Sequence, residues 1–249
     1  MSAPPRESPE AGKLLYEPVA QLISNITGQK VTYQHPKSWL NYQNQMRKNR
    51  YDIIFDGPHF MSWRMNHSEH IPLAKLPGEL RFVIVAHAGD ERIKHIDDLI
   101  GKKICGLAPP NLATLMVYSK YPNPVRQPNF IAIKGGFKKV FLALKSGQCD
   151  AAVFRDSFYH NKISKEDKTL SKTIFISDPL PNQGITVHKT RVSEKQRQQL
   201  VQSLLSDAGK KATRPLLKRF AKNADAMVPT SSAEYSGHSQ FIEGVIFGW

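Results

Sequence analysis

Apolar positions along the chain follow two periods. Leu14, Leu15, Val19, Leu22, Ile23 and Ile26 recur at helical spacing, which predicts a helix over 10–27, with Pro18 as a kink point and Gly28 as its stop. Short apolar runs predict strands at 30–34, 52–55, 70–76, 80–87, 103–107, 129–133, 150–154, 173–177 and 184–188. Helical patterns separate most of them, at 38–49, from His59 onward, and at 95–100, 111–120, 136–146 and 156–163. Helices over 193–205 and 208–223 follow, and 234–249 predicts a last short helix carrying Phe241, Ile242, Val245, Ile246 and Trp249. Such alternation argues for an α/β architecture of mostly parallel sheets flanked by helices. The strands at 80–87 and 173–188 break the alternation, as segments crossing between lobes do. The reading is therefore lobe one over 1–84 plus 184–249, and lobe two over 85–183.

A strand ending in Gly, Pro or Asp residues that open straight into a helix recurs at 51–63, 102–116 and 150–160. Turns of this kind aim unpaired N–H groups and the positive end of the helix dipole at one spot beyond the strand. Several of them facing one crevice would hold a small polar or anionic ligand. No nucleophile, base and metal set accompanies them, so the pattern points to binding without turnover, and to neither a cofactor nor a metal.

Composition narrows this further. With 249 residues and 40% hydrophobic positions the chain can bury a core, and its longest apolar run, 82–86, is far too short to span a bilayer. The start, Met1-Ser2-Ala3-Pro4-Pro5-Arg6, has no apolar signal-peptide core. A formal charge of +14 admits anionic ligands, acidic membrane surfaces or nucleic acid. The basic residues are scattered and no nucleic-acid motif is present, so a solvated basic surface is the reading and no nucleic-acid partner is expected. Cys105 and Cys149 form no CxxC; a disulfide and two buried thiols both fit neighbouring strands.

Four segments in order carry a resemblance: YDIIFDGPHF at 51–60, ERIKHIDDLIGKKICGLAPPNLATL at 91–115, IKGGFKKVFLALKSGQCDAAVFRDSFY at 133–159 and ISDPLPNQGITVHK at 176–189. Together they resemble the phosphate/phosphite/phosphonate solute-binding proteins of ABC transporters, of the type II periplasmic binding protein fold. The likeness extends over about residues 8–206. It implies a periplasmic, monomeric protein that closes on a hinge around an oxyanion or phosphonate-like ligand and presents the closed form to a membrane permease. A ligand-sensing domain for an amine, arsenite or a sulfur oxyanion, and an enzyme of the pyrimidine-synthesis type with His59 in the cleft, are the alternatives on this scaffold. The likeness also implies an export signal lost from this chain and the absence of the first strand of lobe one, since only Ala3 to Glu7 precede the Ser8-Pro9-Glu10 helix start.

The implied ligand set is Trp39, Gly57, His59, Phe60, Asn111, Thr114, Phe137, Arg155, Asp156 and Tyr159. Several positions depart from the family. Trp39 and Met61 stand where tyrosines are usual, and Phe137 where a histidine is. Asn111-Leu112-Ala113-Thr114 replaces a Ser-Thr-Ser-Gly loop, leaving one hydroxyl to meet an oxyanion. Each charge-assisted hydrogen bond lost there would forgo roughly 1.5–3 kcal/mol. Asp156 is retained. The aromatic residues, with Asp156, would equally suit a cationic ligand. Arg155 reads either as an anion clamp or as an ion-pair partner of Asp156.

Other candidates have plainer readings. His67 and His70 have a metal-like spacing in a polar loop with no third ligand; Gly135-Gly136 beside Lys134, Lys138 and Lys139 lacks the P-loop spacing; Asp97-Asp98 suits a helix cap. Cys105 could bind a soft ion such as arsenite, and Trp249 could mark a partner-binding patch, but packing or a disulfide explains the first and packing the second.

Overall fold

The computed structural model describes residues 1–247, which fall into two compact units: Met1–Glu79 with Pro181–Trp249, and Leu80–Leu180. The boundaries lie at 79/80 and 180/181 instead of the expected 84/85 and 183/184. The strand Phe82–His87 explains the shift, because it is hydrogen-bonded along its whole length into the sheet of the second unit.

In chain order the elements are α1 (Pro9–Thr27), α2 (Trp39–Arg47), β1 (Ile53–Asp56), α3 (Pro58–His67), β2 (His70–Lys75), β3 (Glu79–Leu80) and β4 (Phe82–His87). Next come β5 (Lys103–Gly106), α4 (Leu112–Ser119), β6 (Asn129–Ala132), α5 (Phe137–Lys145), β7 (Ala151–Arg155), α6 (Asp156–Lys162), α7 (Lys165–Lys168) and β8 (Ser171–Ile176). The chain closes with β9 (Leu180–Pro181), β10 (Gly184–His188), α8 (Glu194–Leu205), α9 (Asp207–Phe220) and α10 (Ser232–Tyr235). The two-residue strands β3 and β9 mark where the chain passes from one unit to the other and back.

The first unit is built on a sheet of order β1-β10-β2 with both pairs antiparallel. Helix α1 starts on Ser8, whose side chain accepts the Ala11 N–H, has Pro9 in its first turn, runs through Pro18 and stops on left-handed Gly28. It buries Tyr16, Val19, Ala20 and Ile23, one helical stripe, in a core shared with Phe55, Leu73, Ile185, Val187, Leu200, Leu204, Leu216 and Leu217. Gly209 lets α9 fold back on α8: a Cβ there would lie 2.2 Å from the Leu204 carbonyl oxygen.

Two expectations change in this unit. The place of the missing first strand is filled by the opening residues: Ser2 bridges Gln34 on one side and Ile54 on the other, both in parallel sense, and is wholly buried. The strand expected at 30–34 is reduced to the single bridge at Gln34. Its donors are taken by side chains of α1 instead of by a neighbouring strand. The Val31 N–H goes to Ser24 Oγ at 2.8 Å and the Tyr33 N–H to Glu17 Oε2 at 3.4 Å. At the far end the predicted last helix resolves into α10 and a 3-10 turn at His238–Phe241, packed through Ile242 and Phe247; Trp249 lies outside the described residues.

The second unit is a five-stranded sheet of order β6-β5-β7-β4-β8. Strands β6, β5 and β7 run parallel, whereas β4 is antiparallel to both β7 and β8. The sheets are therefore mixed, not mostly parallel. Hydrophobic runs reveal that a segment is a strand but not which way it runs, and the strands next to the unit boundary enter against the βα direction. Cys105 on β5 and Cys149 just before β7 are joined by a disulfide, both buried, with Cα atoms 5.8 Å apart. Among the described residues no helix is long and apolar enough to cross a membrane.

His70 gives the first unit a pH dependence. Its ring is buried and Nδ1 meets Thr186 Oγ1 at 2.9 Å. Burial, with Arg64 and His188 nearby, pushes its pKa down from 6.5 to about 2. The unfolded chain therefore takes up a proton that the folded chain refuses. Stability is full above pH about 6.5 and falls by up to about 1.4 kcal/mol for each unit of acidification below it. Thermal unfolding at pH 7.5 and 5.5 should show that loss, and His70→Asn should flatten the slope; an unchanged slope in the variant would contradict the assignment.

Candidate functional site

In the second unit the parallel register places three strand ends on one edge of the sheet. Ile104 faces Phe130 on β6 and Ala151 on β7, so the carboxyl ends of β6, β5 and β7 point the same way. The turn after β5 leads to Asn111 and Thr114, the turn after β6 to Gly135, Gly136 and Phe137, and β7 ends at Arg155 with Asp156 and Tyr159 following. The expected residues of this unit are thus brought to a single edge, the place where parallel α/β sheets bind ligands.

Their side chains differ in what they can offer. Asn111 caps α4, its Oδ1 accepting the Ala113 N–H at 3.1 Å. Thr114 is fully buried and its hydroxyl donates to the Leu107 carbonyl, so the one hydroxyl left in this loop holds the loop itself. Tyr159 is buried too, with its hydroxyl 2.8 Å from Ser171 Oγ. Phe137 is half-buried against Phe154 and Phe158, at ring distances of 6.0 and 5.4 Å. Asp156 pairs with His160 at 3.1 Å instead of with Arg155.

Arg155 stands apart. It is half-buried at the end of β7, and no carboxylate lies within ion-pair distance of it among the described residues. Desolvation holds its pKa below the ordinary guanidinium range. A cation withdrawn from water without a counterion is costly unless an anion joins it.

In the first unit the turn after β1 is the counterpart. Gly57 precedes α3, with Pro58 in the first turn. His59 is buried beside it, its ring 4.2 Å from that of Phe60. Phe60 has no exposed surface; it belongs to an aromatic core with Trp39, Tyr42 and Phe247. Trp39 is half-buried and lies over Phe60 at 6.5 Å. A Cβ on Gly57 would sit 3.1 Å from His59 Cε1 and 3.6 Å from Arg6 Nη2, so a larger residue here would press on the His59 ring.

Arg6 was not among the expected residues. Its Nη1 donates to Gln183 Oε1 at 2.8 Å, its neighbour Glu7 pairs with Arg219, and no carboxylate pairs with Arg6 itself among the described residues. Beneath the turn lies a second unforeseen group. Asp56, Arg64 and Tyr42 are all fully buried: Arg64 Nε meets Asp56 Oδ2 at 2.7 Å, Arg64 Nη2 meets the Tyr42 hydroxyl at 3.0 Å, and that hydroxyl donates to Asp56 Oδ1. Burial works against the Arg64 charge, but Tyr42 and Asp56 outweigh it and leave its pKa above the usual range. The network fixes the residue just before Gly57.

His67 and His70 do not share a polar loop: His67 ends α3 and pairs with Glu243 at 2.7 Å, whereas His70 starts β2 and is buried. Asp98 Oδ2 accepts the Lys94 and His95 N–H groups, capping the 3-10 turn Ile96–Leu99.

No curated protein matches the chain in sequence. Among solved structures, XAC2383 from Xanthomonas citri bound to chloride ion superposes with a TM-score of 0.75 at 14% identity, covering 98% of each chain. The same protein bound to ATP gives 0.75 at 12% identity over 97% of this chain and 95% of that one. PhnD1 from Prochlorococcus marinus (MIT 9301) in complex with methylphosphonate gives 0.65 at 14% identity over 96% and 95%. At such identities these likenesses carry the fold, the α/β periplasmic-binding-protein type. The family model described as "ABC transporter, phosphonate, periplasmic substrate-binding protein" matches residues 1–235. This chain therefore belongs to the phosphonate-binding family of periplasmic substrate-binding proteins of ABC transporters, which are binding proteins and not enzymes.

Proposed function

We propose that the protein captures a small oxyanion for a phosphonate-type ABC permease, binding it at the strand-end edge of the second unit and closing around it. Closure stabilised by the ligand is what the permease would recognise. The observation that carries this reading is Arg155, half-buried and without a carboxylate in ion-pair distance among the described residues, at the edge where three parallel strands end. The family's usual hydroxyl loop is not available in the same form, since Thr114 Oγ1 is bonded to Leu107 and Asn111 Oδ1 to Ala113. Charge attraction from arginine takes its place. An amine ligand is less suited, because the Asp156 carboxylate is already engaged by His160.

A thermal-shift panel of phosphate, phosphite, methylphosphonate and sulfate tests this. ATP is included because the solved neighbour XAC2383 binds it. At least one anion should raise the melting temperature, and Arg155→Gln should weaken its binding by roughly tenfold or more, the worth of one charge-assisted hydrogen bond. Stabilisation by amines alone, or equal binding in the variant, would contradict the reading.

A further inference from the structure

Helix α9 of the first unit has a side that the fold does not use. It turns Ala212, Thr213, Leu216 and Leu217 inward, and the two leucines join the core with residues of α1 and α8. Its outward side carries Lys211, Arg214 and Lys218, at steps of three and four residues, with Lys222 just past the helix end. Such steps set the charges in one row along the helix. All four residues are exposed, and no carboxylate pairs with any of them among the described residues. The nearby acids Asp207 and Glu7 are taken by Lys210 and Arg219, and Asp225 is exposed without joining the row. Like charges three and four residues apart repel and weaken a helix. The row therefore works against α9 and gains no contact within the fold.

We infer that this row is a docking face for an anionic lipid bilayer. The chain belongs to a family that serves a membrane-borne transporter, so a charged leaflet is within its reach. Lysines on flexible stems act as point charges, which suits a diffuse anionic surface better than one planar group. A nucleic acid would call for exposed rings that stack on bases, but Phe220, the aromatic residue at this end of α9, is half-buried with the Arg219 guanidinium 4.9 Å from its ring. The formal charge of +14 supplies attraction at longer range, and α9 supplies the contact. Nothing here depends on the ligand edge of the second unit.

Co-sedimentation with vesicles of phosphatidylglycerol and phosphatidylcholine in equal parts tests the inference, with pure phosphatidylcholine vesicles as the neutral surface. The unaltered protein should pellet with the anionic vesicles at about 0.05 M salt and be released at about 0.5 M, where screening is strong. Each basic residue close to such a surface raises binding about fivefold, so Lys218→Gln should lower it by that factor and the quadruple variant Lys211→Gln/Arg214→Gln/Lys218→Gln/Lys222→Gln by about a hundredfold or more. A control variant removes the same charge from exposed positions of the second unit, Lys103→Gln/Arg126→Gln/Lys162→Gln/Lys165→Gln, and should bind within about twofold of the unaltered protein. Thermal melts establish that both variants remain folded. Equal loss in the two quadruple variants would show that net charge alone acts and would overturn the inference. Equal binding to neutral vesicles, no binding to either kind, or retention on a DNA duplex at a salt concentration that releases the vesicles would overturn it as well.

Discussion

Arg64→Met is expected to destabilise the first unit by about 3–5 kcal/mol, the usual cost of leaving one partner of a buried ion pair alone. Asp56 has no exposed surface, and its carboxylate oxygens are occupied by Arg64 Nε and the Tyr42 hydroxyl. Without Arg64 the carboxylate must either hold a charge in a dry interior or take up a proton. The guanidinium also lies over the rings of Tyr42 and Tyr51, at 5.6 and 5.8 Å, so packing and cation–π contact go with it. For a chain of this length the loss should appear as a fall in melting temperature of about 6–20 °C. The double variant Asp56→Leu/Arg64→Met should recover much of it, because an apolar pair has no charge to desolvate. A single variant melting within a degree or so of the unaltered protein would show that the network contributes nothing. Ligand affinity should fall as well, since Asp56 fixes the backbone immediately before Gly57.

The second large effect is expected in the other unit. The disulfide between Cys105 and Cys149 closes a segment with a sequence separation of 44. Restricting the unfolded chain by a loop of that length is worth about 4 kcal/mol by the chain-entropy estimate, with measured values more often about 2–4. It also ties β5 to the start of β7, two of the three strands whose ends form the candidate anion edge. Cys105→Ser with Cys149→Ser should lower the unfolding midpoint of this unit, and a reductant should produce the same shift in the unaltered protein while leaving the double variant unchanged. An identical melt with and without reductant would contradict a stabilising bridge. Such a bridge suits an oxidising compartment, as the family implies.

Much of this architecture was legible because local signals agreed with one another. The β1–α3 and β7–α6 junctions each combine a buried apolar run with a residue that starts a helix, and both form where the pattern places them. The expected residues of the second unit share one edge because right-handed βα repetition leaves their strands parallel. What was not legible depends on partners distant in sequence or on side chains doing the work of the backbone. Arg6 acquires its position from Gln183, 177 residues away. The 30–34 segment has the composition of a strand, yet Ser24 and Glu17 satisfy its N–H groups. Thr114 looked like a ligand hydroxyl because its sequence position suggests one, but its acceptor is the Leu107 carbonyl seven residues earlier. Phe60 follows a ligand-type turn and still faces inward, since α3 lays that face on Trp39 and Phe247. Composition does not encode strand direction, which is why mixed sheets were read as mostly parallel.

The proposed seat of the anion is the strand-end edge of the second unit. A crystal structure of the protein with methylphosphonate tests that most directly. A phosphonate oxygen is expected about 3 Å from the Arg155 guanidinium, beside the turns that follow β5 and β6. A ligand seated away from Arg155, for instance in the hollow between Trp63 and Glu243, would contradict it.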